Sequence, residues 1–143
     1  MLDYCALYFP AKKFITTLID YVSPTVTSPV ALNRRAALAA LAITSEGCAD
    51  YYRNQHMELL VDLCLKGMLD EDLAVSQLGY FALCQFSEYL QPNFVQYSER
   101  IMNHLINTMD TKAELLTISR MTIRFYDALQ SVCENLGEIL IFF

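Results

Sequence analysis

The sequence predicts an all-α fold in which pairs of helices repeat along the chain. Three observations support this prediction. Hydrophobic residues make up 55% of the 143 residues and charged residues only 18%, which excludes a disordered chain. Glycine and proline occur four times each, too rarely for a loop-rich or collagen-like protein. One short pattern recurs three times, and the length fits one modest domain or part of a larger one.

The recurring pattern gives the length of the repeat. Its copies begin at Ala40, Ala82 and Ala128, and they read Ala-Leu-Ala-Ile-Thr-Ser-Glu, Ala-Leu-Cys-Gln-Phe-Ser-Glu and Ala-Leu-Gln-Ser-Val-Cys-Glu. Two helices in every unit of about 40–47 residues are typical of HEAT and armadillo solenoids. The sequence therefore predicts a HEAT-repeat α-solenoid of about three helix pairs, stacked as a right-handed superhelix in one unit over residues 1–143.

Local signals place the helices and their ends. Leu60, Leu63 and Cys64 form an apolar stripe at helical spacing. Asp72 is an N-cap candidate, with a charge that favours the start of a helix. The predicted helices cover residues 11–22, 30–46, 55–69, 73–90, 94–109 and 119–136, and they combine into approximate repeats 11–46, 55–90 and 94–138.

Prolines and glycines mark further boundaries. Pro24 and Pro29 bracket a Ser/Thr-rich connector, so we expect the first helix to end before Pro24. Gly47 and Gly137 follow predicted helices, where a left-handed cap favours glycine.

Both ends of the chain are apolar, whereas a terminal repeat of a solenoid normally has a polar outer face. Leu7, Tyr8 and Phe9 lie near the start, and residues 139–143 are all apolar. We therefore expect the chain to be a fragment of a longer array.

The remaining composition narrows the functional classes. The cysteines number five and include no CxxC pair, which predicts reduced thiols in a cytosolic or nuclear protein. No apolar stretch approaches the ~20 residues of a membrane span. The first residues also lack the features of a signal peptide, so we expect no export. A formal net charge of −6 argues against nucleic-acid binding and favours a basic partner.

No residue pattern predicts catalysis, a cofactor or a metal ion. His56 and His104 are far apart in the sequence and have no nearby ligand spacing. The glycines are scattered and form no phosphate-binding loop. Neither Cys84 nor Cys133 has an implied base. The chain is therefore predicted not to be an enzyme.

Three segments resemble the importin-beta (karyopherin-beta) family of nuclear transport receptors. The most specific is Phe-Ala-Leu-Cys-Gln-Phe-Ser-Glu-Tyr-Leu-Gln-Pro over residues 81–92. The other two cover residues 33–48 and 126–137, and the second contains Tyr-Asp-Ala-Leu and Cys-Glu-Asn-Leu-Gly. The resemblance extends from about residue 30 to 138 and keeps the order and spacing of the three segments.

The resemblance implies the middle of a nuclear import receptor that shuttles between cytoplasm and nucleus. It implies basic protein cargo, such as nuclear-localisation segments, histones or ribosomal proteins. In the full-length receptor it implies nucleoporin Phe-Gly repeats and the Ran GTPase as further partners. Ran binds N-terminal repeats of the family, so direct binding of Ran by this chain is not expected.

Three glutamates recur at one position near the end of each second helix: Glu46, Glu88 and Glu134. Second helices line the concave face of a solenoid, so these carboxylates are predicted to form a row, about 10 Å apart, that holds a Lys/Arg-rich segment. The whole net charge lies in residues 70–143, which favours the same site. Four flanking residues are candidates for bonds to the backbone of that segment: Gln85, Tyr89, Gln130 and Asn135.

Each of these assignments has a structural alternative. The glutamates can form a solvated polar face, and Asn135 can bond to the adjacent repeat. Tyr80 and Phe81 can flank a lysine stem or belong to the core. The rival function is a HEAT-repeat scaffold or adaptor that joins folded partners in a complex, has no transport role and binds with much weaker salt dependence. A compact helical bundle with an accidental repeat is the third alternative.

Overall fold

The computed structural model describes residues 1–8, 11–114 and 117–140, and the side chains of all of these except 11 and 136–140. Every regular element in this part of the chain is helical, which confirms the all-α, HEAT-like fold. The elements are α1 (Leu2–Tyr8), α2 (Ala11–Thr25), α3 (Ala31–Ile43), α4 (Ala49–Tyr51), a π-helical turn (Tyr52–His56), α5 (Met57–Met68), α6 (Leu73–Tyr89), a 3₁₀ turn (Asn93–Tyr97), α7 (Ser98–Thr111) and α8 (Ser119–Leu140).

The helices form two layers. The first helices α2, α5 and α7 make one layer, and the second helices α3, α6 and α8 make the other. Neighbouring second helices pack against each other far more extensively than neighbouring first helices do, and α6 lies between α3 and α8. Neighbouring second helices are therefore closer to each other than neighbouring first helices are. We call the side of α3, α6 and α8 that faces away from the first helices the second-helix face.

The core lies where the two layers meet. Its fully buried side chains include Leu41, Leu60, Leu83 and Phe86. Burial of each such side chain stabilises the fold by about 2–3 kcal/mol. Close packing also depends on glycine. A β-carbon at Gly79 of α6 would lie 2.5 Å from the backbone nitrogen of the α5 residue opposite it, so a larger residue would push α5 and α6 apart.

The turn between α5 and α6 is bound to α3 by ion pairs. Arg34 Nε lies 2.7 Å from Asp70 Oδ2, and Arg35 Nη2 lies 2.7 Å from Asp72 Oδ2. Asp72 also caps α6, because its Oδ1 accepts hydrogen bonds from two backbone N–H groups of the first turn. The predicted N-cap is confirmed, and the same carboxylate joins two repeats.

The predicted boundary at Pro24 is wrong. Helix α2 continues through Pro24 and ends at Thr25. The proline removes one N–H group, which would have bonded to the carbonyl of Asp20. Asp20 is exposed on the last turns of the helix, so water can satisfy its carbonyl and the interruption is tolerated.

The two glycine caps are also wrong. No glycine in the described part of the chain has a positive φ, and Gly137 lies inside α8, which extends to Leu140. Gly47 instead packs against α1, where a β-carbon would lie 2.7 Å from the carbonyl carbon of Ala6. Helix α1 was not expected from the sequence, and its close approach is the reason that position 47 requires a glycine.

Apolar side chains are exposed at both ends of the stack. At the first end they include Leu7 and Tyr8 of α1, as predicted. At the other end they include Ile106 of α7 and Tyr126 of α8. The predicted apolar C-terminus falls outside the described side chains. Within the described residues, no helix combines the length and the hydropathy needed to cross a membrane.

Candidate functional site

The second-helix face of α6 is defined by helical periodicity. Its members recur every three or four residues, whereas Val75, Tyr80 and Leu83 on the other sides of the helix are buried. Tyr80 belongs to the core, where it contacts the ring of Phe125 of α8 edge to face with centroids 5.9 Å apart. The half-buried or exposed members of the face are Ala74, Gln77, Leu78, Phe81, Cys84, Gln85 and Glu88.

The three recurring glutamates are all exposed, but they occupy different positions relative to the helix ends. Glu46 lies in the turn after α3, which ends at Ile43. Glu88 lies in the last turn of α6, and Glu134 lies inside α8. The expectation that all three lie near helix C-termini is wrong for Glu134, because α8 is longer than predicted.

Tyr89 is the last residue of α6, and charges from different repeats act on its phenol. Burial raises the pKa of its phenol, and the negative charges of Glu88, Glu46 and Asp3 raise this pKa further. Glu46 comes from the first repeat, Glu88 from the second and Asp3 from α1. Two of the three predicted glutamates therefore act on one phenol, together with Asp3, which was missed from the sequence along with its helix.

A groove between α6 and α8 carries the acidic surface into the third repeat. Its volume is about 340 Å³. The α6 side contributes Phe81 and Cys84, and the α8 side contributes five polar residues. The latter are Arg124, Asp127, Gln130, Ser131 and Glu134.

The pKa of the Cys84 thiol depends on the burial and the charges in this groove. Burial raises its pKa to about 11, with a further increase from Asp127 that is opposed by Arg124. The thiol is therefore protonated near neutral pH and is not an activated nucleophile. Asp127 was missed as a site residue, although it precedes Glu134 by two helical turns and so lies on the same side of α8.

Two of the predicted flanking residues are hydrogen-bonded within α8. Gln130 Nε2 donates to Glu134 Oε1 at 2.7 Å. Asn135 Nδ2 donates to the carbonyl oxygen of Ser131 at 2.8 Å and lies 3.4 Å from the Ser87 hydroxyl of α6. Asn135 therefore takes part in the contact between adjacent second helices.

A second cavity, of about 350 Å³, continues the groove toward the start of α6. Phe81 and Arg124 line both cavities. The remaining lining residues of the second cavity are Ala74, Gln77 and Leu78, so it carries no carboxylate.

The other cavities described are weaker candidates for a binding site than the groove between α6 and α8. A cavity of about 650 Å³ lies at the loop edge, where the Arg34 guanidinium is already paired with Asp70. A cavity of about 490 Å³ between α5 and α7 contains His104, and burial lowers the pKa of that imidazole. All five cysteines are free. Among the described residues, no group of His, Cys, Asp and Glu could hold a metal ion.

Comparison with known proteins identifies relatives of this chain. No family model matches it. It is similar to Importin-4 of Homo sapiens, with 33% identity over 106 residues, and to Importin-4 of Mus musculus, with 32% identity over 107 residues. The matched segments cover 74% and 75% of the chain. The chain belongs to the importin-beta family.

The resemblance stated from the sequence is thereby confirmed for this importin-beta family chain. It spans about 10% of the length of each relative, so it corresponds to a small part of such a receptor. Both relatives are transport receptors rather than enzymes, which agrees with the prediction that the chain is not an enzyme.

Proposed function

We propose that this chain is a cargo-holding segment of a nuclear import receptor and that it binds extended, Lys/Arg-rich protein segments on its second-helix face. The proposal is supported by the exposed positions of Glu46, Glu88 and Glu134 and by the groove between α6 and α8, which Asp127 and Glu134 line. A basic segment laid across α3, α6 and α8 would meet a carboxylate at each repeat.

The pairing of charges supports this site. Arginines pair with carboxylates elsewhere, as Arg34 does with Asp70 and Arg100 with Glu58. Among the described residues, no ion pair includes Glu46, Glu88 or Glu134. Exposed carboxylates without an internal cation attract basic ligands by long-range steering, which salt weakens.

The receptor role sets the expected partners and location. We infer that the whole receptor carries cargo with the help of the transport machinery and moves between cytoplasm and nucleus. Nuclear-localisation segments, including those of histones and ribosomal proteins, have the basic composition that the second-helix face favours. Phe-Gly nucleoporins and Ran would be partners of the full-length receptor, with Ran bound outside this chain.

The proposal is tested by the binding of a fluorescent Lys-rich peptide, measured by anisotropy at about 50 mM and about 200 mM salt. The test variant is Glu46→Gln/Glu88→Gln/Glu134→Gln. We expect affinity to fall with salt for the native chain and to be largely lost in the variant.

A matched control removes the same number of charges from the first-helix layer. Asp20, Glu99 and Asp110 are exposed on α2 and α7, so Asp20→Asn/Glu99→Gln/Asp110→Asn changes the net charge equally. If both triple variants lose the same amount of peptide affinity, the loss is due to net charge alone. That result would contradict binding on the second-helix face. A folded native chain that binds no basic peptide would favour the scaffold function.

A further inference from the structure

The groove between α6 and α8 has two unlike halves. One half contains Asp127 and Glu134, and the other contains Ala74 and Leu78 and no carboxylate. The half-buried ring of Phe81 belongs to both halves.

Arg124 lies at the boundary between the halves, since it lines both cavities. Its Nη1 is 3.9 Å from Asp127 Oδ2, and both side chains are about half exposed. This is a loose pair, which a competing cation from a ligand can replace at little cost. The guanidinium also places a positive charge beside the apolar half, where it repels a second basic side chain.

The spacing of the two halves matches an extended peptide. Leu78 in the apolar half and Cys84 in the acidic half are six positions apart on α6, or about 9 Å at 1.5 Å per residue. A peptide in the extended polyproline II conformation advances about 3.1 Å per residue and presents every third side chain on the same side, so two side chains three positions apart cover this distance.

We propose that this groove binds an apolar side chain and a basic side chain that stand three positions apart in an extended segment of polyproline II conformation. The apolar side chain packs on Phe81 and Leu78, and the basic one lies between Asp127 and Glu134 with its aliphatic stem along Phe81. Charge complementarity selects the basic residue, and Arg124 excludes a second one from the apolar half. This inference rests on the proposed function and narrows its ligand from any basic segment to an apolar–x–x–basic one.

The test compares three labelled peptides on the native chain at one salt concentration. The first has Leu three positions before a Lys. The second has the same composition with that Leu moved next to the Lys, and the third replaces the Leu by Lys. We expect the first peptide to bind about fivefold to tenfold more tightly than the other two, the effect of partly burying one leucine side chain.

Two protein variants locate the preference. Phe81→Ala should reduce the advantage of the Leu peptide to less than about twofold and leave the salt dependence intact. Because Phe81 also contacts the core, its folding is checked by circular dichroism. Arg124→Gln changes an exposed side chain, and it should raise the affinity of the third peptide relative to the first.

The outcomes separate this inference from the proposed function. Equal binding of all three peptides, with loss in the triple glutamate variant, would overturn the two-part groove and leave the proposed function standing. A preference that persists in both Phe81→Ala and Arg124→Gln would also overturn the groove assignment. Binding of no peptide to the folded chain would overturn both.

Discussion

Arg34 of α3 and Asp70 of the α5–α6 turn form a bidentate ion pair that joins two repeats. The Nε–Oδ2 and Nη2–Oδ1 distances are both 2.7 Å, and the side chains are only 12% and 14% exposed. Arg34 Nη1 also donates to the carbonyl oxygen of Ser28 at 2.9 Å. The guanidinium thus connects the loop after α2, the helix α3 and the next repeat.

Removing one partner of this pair should destabilise the chain. Asp70→Asn leaves Arg34 in a mostly buried site without its counter-charge, which is the costly way to break an ion pair. We expect the melting temperature to fall by several degrees, measured by circular dichroism. The control is Glu71→Gln, an exposed neighbour in the same turn, which should shift the melting temperature by less than about 2 °C. Equal shifts would contradict a special role for Asp70.

The same turn should make the chain sensitive to acid. Hydrogen bonds from Arg34 and Arg35 lower the pKa values of Asp70 and Asp72 below their usual value of about 3.9. In acid, these two carboxylates therefore bind protons more readily in the unfolded chain than in the folded one. The stabilisation is complete above about pH 5 and is lost as the pH falls through the lowered pKa values.

This acid sensitivity is measured as the urea midpoint at about pH 7, 5 and 3. The Asp70→Asn/Asp72→Asn variant should be less stable than the native chain at pH 7. Its urea midpoint should fall less between pH 5 and 3 than the native midpoint does. Parallel curves for the two proteins would show that these carboxylates do not cause the acid loss.

Two glycines should respond differently to alanine. A β-carbon at Gly79 would meet the backbone nitrogen of Met68 at 2.5 Å, whereas one at Gly67 would meet the Leu38 side-chain end at 2.6 Å. A side-chain end can move and a helix backbone cannot, so we expect Gly79→Ala to reduce the free energy of unfolding by roughly 1–3 kcal/mol. Gly67→Ala should cost less, since alanine favours a helix by about 1 kcal/mol over glycine. The reverse order in urea unfolding would contradict the close crossing of α5 and α6.

Alkylation should distinguish the cysteines. Cys133 is exposed, whereas Cys48 and Cys64 are buried and Cys84 is half-buried with its pKa raised to about 11. Because the thiolate reacts, iodoacetamide near neutral pH should modify Cys133 first, as read by peptide mass mapping. The rate at Cys84 should still be rising between about pH 9 and 11. Equal rates at Cys84 and Cys133 near neutral pH would contradict the groove described here.

The second helices could be predicted because their signal is local and repeated. The second and third copies of the pattern lie on α6 and α8, and the first begins on α3 and runs into the turn after it. The helix start at Asp72 follows from N-cap chemistry alone. Gly47 could not be explained from the sequence. Its reason is the contact with Ala6, which depends on the packing of α1 and not on neighbouring residues.

The candidate site could be predicted only in part, for the same reason. The repeat position indicated Glu46, Glu88 and Glu134. Asp3 and Asp127 do not occupy the repeat position of these glutamates. They add to the acidic surface because the fold packs α1 and α8 beside the second helix of a neighbouring repeat. Two-turn spacing from Glu134 was the one available sequence signal for Asp127.

Zero-length crosslinking of a bound Lys-rich peptide to carboxylates of the native chain identifies the surface that holds a basic ligand. A carbodiimide joins a lysine amine only to a carboxylate in contact with it, and mass spectrometry identifies the residue. We expect crosslinks concentrated at Glu46, Glu88, Asp127 and Glu134 that decrease as salt is raised. Crosslinks spread equally over Asp20, Glu99 and Asp110 of the first-helix layer would contradict binding on the second-helix face.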